Sequence, residues 1–149
     1  MKAVIQRVSQ AEVRVNAKRI GAIDKGILIF IGVSKEDTSE DAKYLVKKIV
    51  QLRIFEDAEG KMNLSAIDVG GELLVISQFT LYGNCRKGRR PSFDKAADSQ
   101  KGEELYDYFV SELRKQNLKV ETGQFQAMMD VDLVNDGPVT FILESNQSG

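Results

Sequence analysis

The chain has 149 residues, 42% of them hydrophobic and 29% charged, the profile of one globular domain long enough to bury a core. Its formal net charge of −1 supplies no global field toward nucleic acid or membrane, so any polyanion must be held by a local patch. It contains no histidine and a single cysteine, Cys85, which excludes Ser-His-Asp and Cys-His catalysis, histidine acid–base work, the usual zinc sites and an internal disulfide.

From the N-terminus, Met1 to Arg7 carries no signal-peptide pattern, and the longest apolar stretch, Ile27 to Val33, is too short to span a bilayer. Cytoplasm is the expected compartment, with one domain over residues 1–149. The β-branched content of Lys2 to Val8 predicts a strand. Ala11 to Val15 alternates and meets Arg19 to Ile23 across Asn16-Ala17-Lys18, the pattern of a hairpin. After the turn Asp24-Lys25-Gly26, residues 26–33 read as a central strand buried on both faces. Four strands so close together predict an antiparallel sheet. Thr38 to Asp41 forms a capping box, and Ala42, Leu45, Val46, Ile49 and Leu52 recur at helical spacing, so a helix covers residues 39–52. Arg53 to Glu56 reads as a short strand, Asp57 to Gly60 as a turn, and residues 61–70 as irregular.

Leu73 to Ile76 is a second doubly buried strand, and its end changes abruptly to Ser77, Gln78 and Thr80. Polar groups at the mouth of a core strand must be hydrogen-bonded, either to a neighbouring turn or to a ligand. The loop from Gly83 to Phe93 then packs Arg86, Lys87, Arg89 and Arg90 around Gly88. Phosphate or RNA is one partner for such a run, and a solvated loop is the plainer alternative. A second helix over 98–116 turns Leu105, Tyr108, Phe109 and Leu113 inward. Residues 119–121, 127–134 and 139–144 read as strands, with Asn135-Asp136-Gly137-Pro138 as a hairpin turn and residues 145–149 as a frayed tail. By residue chemistry alone a cis bond at Pro138 is uncommon, since about 5–6% of X-Pro bonds are cis. Ser77 and Thr80 have no activating base, Asp130 and Asp132 read as solvated, and Cys85 as incidental. The elements sum to an α+β domain, a mostly antiparallel sheet curled into a barrel-like core with two covering helices.

Ala3 to Val8, Ser77 to Leu81, Arg86 to Phe93 and Asn135 to Thr140 occur in an order and spacing that resembles the D-aminoacyl-tRNA deacylase family. Phe55-Glu56-Asp57 and Gly60 to Asn63 add to the likeness, which runs along nearly the whole chain. The resemblance implies hydrolysis of the ester of D-aminoacyl-tRNA and of mischarged glycyl-tRNA by a homodimer with its active sites at the interface. It implies that Ser77, Gln78, Phe79 and Thr80 line the catalytic pocket. It likewise implies that Gly137 and Pro138, supported by Arg7, form a cis element that enters the partner's pocket and rejects L side chains. Phe125, Gln126, Ala127, Met129, Val139 and Thr140 fall to the substrate pocket, and Arg86, Lys87, Arg89 and Arg90 to tRNA. Catalysis is implied to come from the 2′-hydroxyl of the tRNA's terminal adenosine, with no metal or cofactor, no DNA and no membrane partner. One departure is Gln126, which stands where the family's Gly-x-Phe-Gly-Ala-x-Met run has its second glycine; it bears on substrate preference. Two rivals remain: an RNA-binding module that uses the Arg86–Arg90 loop without chemistry, and a small-ester or amide hydrolase dependent on Asp130 or Asp132.

Overall fold

The computed structural model describes residues 1–145. Its first strand, β1 (Lys2–Val15), is one long bent strand where two separate strands were expected. Exposed Ser9 and Gln10 mark the bend. The first half of β1 pairs with β3 (Gly26–Gly32) and the second half with β2 (Lys18–Ile23), both antiparallel. The turn between β1 and β2 is made by Asn16 and Ala17 at positive φ, 51° and 65°.

Helix α1 (Ser39–Gln51) opens on the expected Thr38–Asp41 capping box. A small hairpin follows, β4 (Phe55–Glu56) with β5 (Met62–Leu64). A third, one-turn helix, α2 (Ala66–Val69), then occupies a region expected to be irregular and beyond the two helices predicted. Its own capping box pairs Ser65 with Asp68, and Gly70 ends it at φ 62°. The signal was present in Ser65-x-x-Asp68, but four residues carry no periodicity to confirm it.

Strand β6 (Glu72–Ser77) lies parallel to β3, and β7 (Val120–Thr122) lies parallel to β6. The sheet is therefore mixed rather than antiparallel throughout. Parallel neighbours need a long crossover. Here α1, the small hairpin and α2 supply the first, and α3 (Ser99–Arg114) the second. The sheet nearly closes on itself: a Cβ on Gly21 of β2 would stand 2.8 Å from the Thr122 carbonyl oxygen on β7.

Two apolar layers follow from the strand alternation. Ala3, Ile5, Ile27, Ile29, Leu73 and Val75 face the helices, against Leu45 and Ile49 of α1 and Phe109 of α3. Val8, Val13, Leu28, Leu74 and Ile76 fill the barrel side. Each fully buried aliphatic side chain contributes about 1.5–3 kcal/mol, so this double burial sets the strand register. On α3 the buried set is Tyr106, Phe109, Val110 and Leu113, with Leu105 and Tyr108 only partly covered. Tyr106 displaces them because its hydroxyl can donate to the buried Val75 carbonyl at 2.9 Å.

The last strand, β8 (Asp130–Glu144), runs antiparallel to β1 along nearly all of it. No hairpin reverses the chain at Asn135–Pro138. The pairing instead jumps from Asn135↔Val8 to Gln6↔Thr140, so Asp136 to Val139 are extruded opposite Arg7. Ser145, expected in a frayed tail, is anchored: its N–H donates to the Met1 carbonyl at 2.9 Å, and its hydroxyl accepts from the Met1 amine at 2.8 Å. The remainder of that tail, 146–149, lies outside the described residues.

Two exposed carboxylates brace the β4–β6 region. The Asn63 amide and the Lys61 N–H hold the Asp57 carboxyl below its usual range, and the Ser65 N–H does the same for Asp68. A lowered folded pKa contributes stability above the unfolded value and loses it as pH falls. The urea midpoint should therefore drop below about pH 4, and Asp57→Asn/Asp68→Asn should flatten that drop. An equal drop in the variant would remove these two groups from the acid response.

Candidate active site

Arg7 is 5% exposed, and burial of a charge is costly unless it is paired. Its guanidinium donates through Nη1 to the Ile54 carbonyl at 2.8 Å and through Nε to the Asp136 carbonyl at 3.2 Å. The carboxylates of Asp136 and Glu56 stand 3.5 and 3.7 Å away. Arg7 thus ties the extruded tip of β8 to the strand entering β4. Asn135 closes the foot of the tip, accepting from the Val139 N–H and donating to the Thr140 hydroxyl, each at 3.0 Å. Gln6 donates to the same hydroxyl at 3.2 Å. Within the tip the Gly137–Pro138 peptide is cis, and Gly137 has φ 129°. A Cβ there would meet Val139 Cγ2 at 2.8 Å and Arg7 Nη2 at 3.1 Å, so glycine is required. Gly137 and Pro138 are exposed although the tip is pinned at both feet.

The second group of residues sits at the far end of β6. Gln78 donates its N–H to the Ile31 carbonyl at 2.8 Å, and residues Phe79–Tyr82 then form a 3₁₀ turn. The Gln78 amide donates to the Thr80 hydroxyl. Neither group has a base beside it. Phe79 is 58% exposed and packs against Phe93, ring centroids 5.1 Å apart. That contact fixes the foot of the basic loop, whose neck is closed by Asn84 and Ser92 exchanging N–H···O bonds at 2.7 and 2.9 Å. Arg86, Lys87, Arg89 and Arg90 all project into solvent, with Gly88 at φ 63° turning the chain.

The segment 123–129 lies against the same end of β6. Val75 accepts from both the Gly123 N–H, at 3.1 Å, and the Tyr106 hydroxyl. Phe125 packs on Tyr106 at 5.9 Å, and the Met129 sulfur fits against Gly123, whose Cβ would lie 2.6 Å from it. Gln126 has φ 64° and its amide donates to the Ser99 hydroxyl at the start of α3. The left-handed backbone accounts for a glycine at this position in the family run. Ala127 is half-buried beside it.

The structure therefore joins the segment 123–129, through Gly123, to the strand β6 that leads into Ser77–Thr80, while Phe125 and Gln126 are held by Tyr106 and Ser99 of α3. It does not bring Arg7, Gly137, Pro138, Val139 or Thr140 to Ser77–Thr80 within one chain. Ser77 lies level with Ile31 and Ala3, whereas Arg7 lies level with Ile27 and Leu73. Those levels are four β1 residues apart, roughly 13 Å, and β8 and β6 are separated by β1 and β3, roughly 14 Å across the sheet. Asp132 is taken up by Arg14 across the β1–β8 pair, and Asp130 is exposed, so neither forms a catalytic carboxylate pair. Tyr106 was not singled out in the sequence, and Asn135 and Glu56 entered there only as members of motifs, without the bracing contacts they make here. Only the partner strand and the opposing helix reveal them.

A family model described as D-Tyr-tRNA(Tyr) deacylase matches residues 4–144. A D-aminoacyl-tRNA deacylase of Thermotoga petrophila is 59% identical over 147 residues, 99% of both chains. One from Desulfatibacillum aliphaticivorans is 62% identical over 145 residues, 97% of this chain and 99% of that one. Among solved structures, the c-Myc DNA Unwinding Element Binding Protein superposes with a TM-score of 0.93 at 43% identity, over 99% of this chain and 100% of the other. A probable eukaryotic D-amino acid tRNA deacylase shares the fold, with TM-score 0.84 and 19% identity over 96% of this chain and 98% of that one. The class is thus a hydrolase acting on the ester bond of aminoacyl-tRNA. Within it, the chain belongs to the D-Tyr-tRNA(Tyr) deacylase family, and its activity is D-aminoacyl-tRNA deacylation.

Arg7→Lys keeps the charge but cannot span Ile54 and Asp136 together. It should cost about 2 kcal/mol, lowering Tm by about 4–8 °C. An unchanged Tm would mean the bridge carries no load. Gln126→Gly should raise Tm by about 2–4 °C by relieving a left-handed side-chain conformation. Gln126→Ala retains that strain, loses the Ser99 bond and should lower Tm; differential scanning calorimetry separates the two.

Proposed function

We propose that the chain acts as a homodimer in which the Gly137–Pro138 tip of one subunit closes the Ser77–Thr80 pocket of the other. The observation that carries this reading is the tip itself, pinned at both feet yet exposed, and remote from the pocket of its own chain. The exposed edge of β8 supports it. That edge has no strand partner among the described residues, and it presents Val134, Phe141 and Ile142, the last 72% exposed.

In this reading a rigid backbone tip leaves no room for an L side chain, so the enzyme selects D-aminoacyl esters by exclusion. A glycyl ester, lacking a side chain, is admitted too. Ser77, Gln78, Phe79 and Thr80 hold the ester, with Phe125, Ala127 and Met129 flanking it and Val139 and Thr140 supporting the incoming tip. Gln126 acts on the shape of this wall through its backbone, since its amide is engaged by Ser99. The Arg86–Arg90 loop holds RNA phosphates beside the pocket.

An aminoacyl ester is already activated, and positioning can supply much of the barrier reduction. The vicinal 2′-hydroxyl of the terminal adenosine assists attack on the carbonyl carbon, water completes the hydrolysis, and tRNA and the free amino acid leave. Thr80 positions the ester; a hydroxyl without a base is a weak nucleophile.

The test is hydrolysis of D-tyrosyl-tRNA beside L-tyrosyl-tRNA with a chelator present. Release of D-tyrosine at a rate at least about 10²-fold above L-tyrosine is expected, a difference of roughly 2.7 kcal/mol. A tRNA ending in 2′-deoxyadenosine should lose a comparable factor. Gly137→Ala should lower D-tyrosine release by more than about tenfold, or 1.4 kcal/mol, because its Cβ collides with Val139 and Arg7. Binding of both tRNAs with hydrolysis of neither would favour the binding-module rival. Equal hydrolysis of both would overturn the tip's role.

A further inference from the structure

On the outer face of α1, away from the basic loop, Tyr44, Lys47, Lys48, Gln51, Leu52 and Arg53 line a groove of about 670 Å³. None of the six is acidic. The cleft of about 740 Å³ at the foot of the basic loop, by contrast, mixes Lys2, Lys35, Arg86 and Lys95 with Glu36, Asp94 and Glu144. Lys48 is held in place over the Tyr44 ring, 5.9 Å from its centroid. A cation in the last turn of a helix also offsets the helix dipole, which accounts for Lys48 but not for Lys47, while Arg53 also acts on the Asp68 carboxylate.

The position of the groove is what gives it meaning. Arg53 immediately precedes Ile54, whose carbonyl takes the Arg7 guanidinium, and Arg7 in turn holds Asp136 of the tip. The groove therefore begins one residue and one guanidinium away from Gly137–Pro138. We propose that Lys47, Lys48 and Arg53 of the subunit that lends its tip bind backbone phosphates of the substrate RNA as it leaves the partner's pocket. This inference rests on the cross-subunit reading above. The RNA would then be gripped from two sides, by the Arg86–Arg90 loop of the pocket-bearing subunit and by α1 of the lending one. Lys47 and Lys48 are neighbours in the last turns of α1 and Arg53 follows just beyond it, so the three cations lie along one short stretch of chain, and each can neutralise one phosphate.

The experiment compares Lys47→Gln/Lys48→Gln with a control pair that removes equal charge elsewhere, Lys18→Gln/Lys115→Gln. With D-tyrosyl-tRNA the first pair should raise KM about tenfold and reduce the log KM–log salt slope by about 1.4–1.8, the release expected for two phosphate contacts. The kcat should stay within about twofold, because electrostatic RNA contacts of this kind position the substrate without touching the ester. Lys47→Arg/Lys48→Arg should restore KM, which a merely structural role for the lysines would not require. An unchanged KM and slope in the first pair would overturn the proposal, as would an equal loss in the control pair. Filter binding of uncharged tRNA to the same variants is scored separately. If the wild type hydrolyses no D-tyrosyl-tRNA, the catalytic reading fails, while the binding ratios still decide whether the groove holds RNA.

Discussion

A single buried guanidinium carries the geometry on which the site depends. Arg7 is the residue of β1 opposite the extruded tip of β8; it keeps its pairing with Ile27 of β3 but has no partner on β8. Its side-chain donors go to Ile54 and Asp136, which ties the tip to the chain entering β4. The proposed selection by exclusion depends on that anchoring, because a tip that yielded by about an ångström would admit the wrong enantiomer. Arginine suits the position, since a planar fork reaches two carbonyls and two carboxylates at once.

The rest of the fold brings the Ser77–Thr80 turn and the Gly137–Pro138 tip to different levels of one sheet. The parallel crossover through α1 delivers β6 beside β3, so that the polar end of β6 emerges at one rim. Antiparallel pairing of β8 with β1 leaves the tip at the other level. Within one chain the two ends stay apart. In the proposed homodimer, a second copy supplies both cover for the apolar edge of β8 and a wall of the pocket. The absence of histidine fits the proposed mechanism, in which the protein positions an activated ester and the chemistry comes from groups that arrive with it.

Local patterns in the sequence were legible where one stretch decides its own structure. The β6 core, the α1 capping box and the turn at Asn16–Ala17 all follow from side chains within a few residues of one another. Relations between distant stretches were not legible. Asn-Asp-Gly-Pro has the same chemistry whether it reverses a chain or bulges out of a strand, and only pairing with β1 distinguishes the two. The direction of β6 relative to β3 depends on where α1 packs, which no local pattern encodes. The assignment of pocket residues rests on resemblance alone, and the left-handed backbone at Gln126 explains why a glycine is usual there. The cationic face of α1 was invisible as a site because lysines on a helix surface read as solvated until their neighbours in space are known.

The most direct measurement is complementation between two inactive variants. Thr80→Tyr blocks the pocket of its own chain, and Gly137→Val deforms the tip that its chain lends. Each homodimer should be inactive on D-tyrosyl-tRNA. Co-expressed in equal amounts, they should recover about a quarter of wild-type activity, as one intact site in each mixed dimer requires. No recovery, with mixed dimers demonstrably formed, would contradict the account by placing the whole site within one chain.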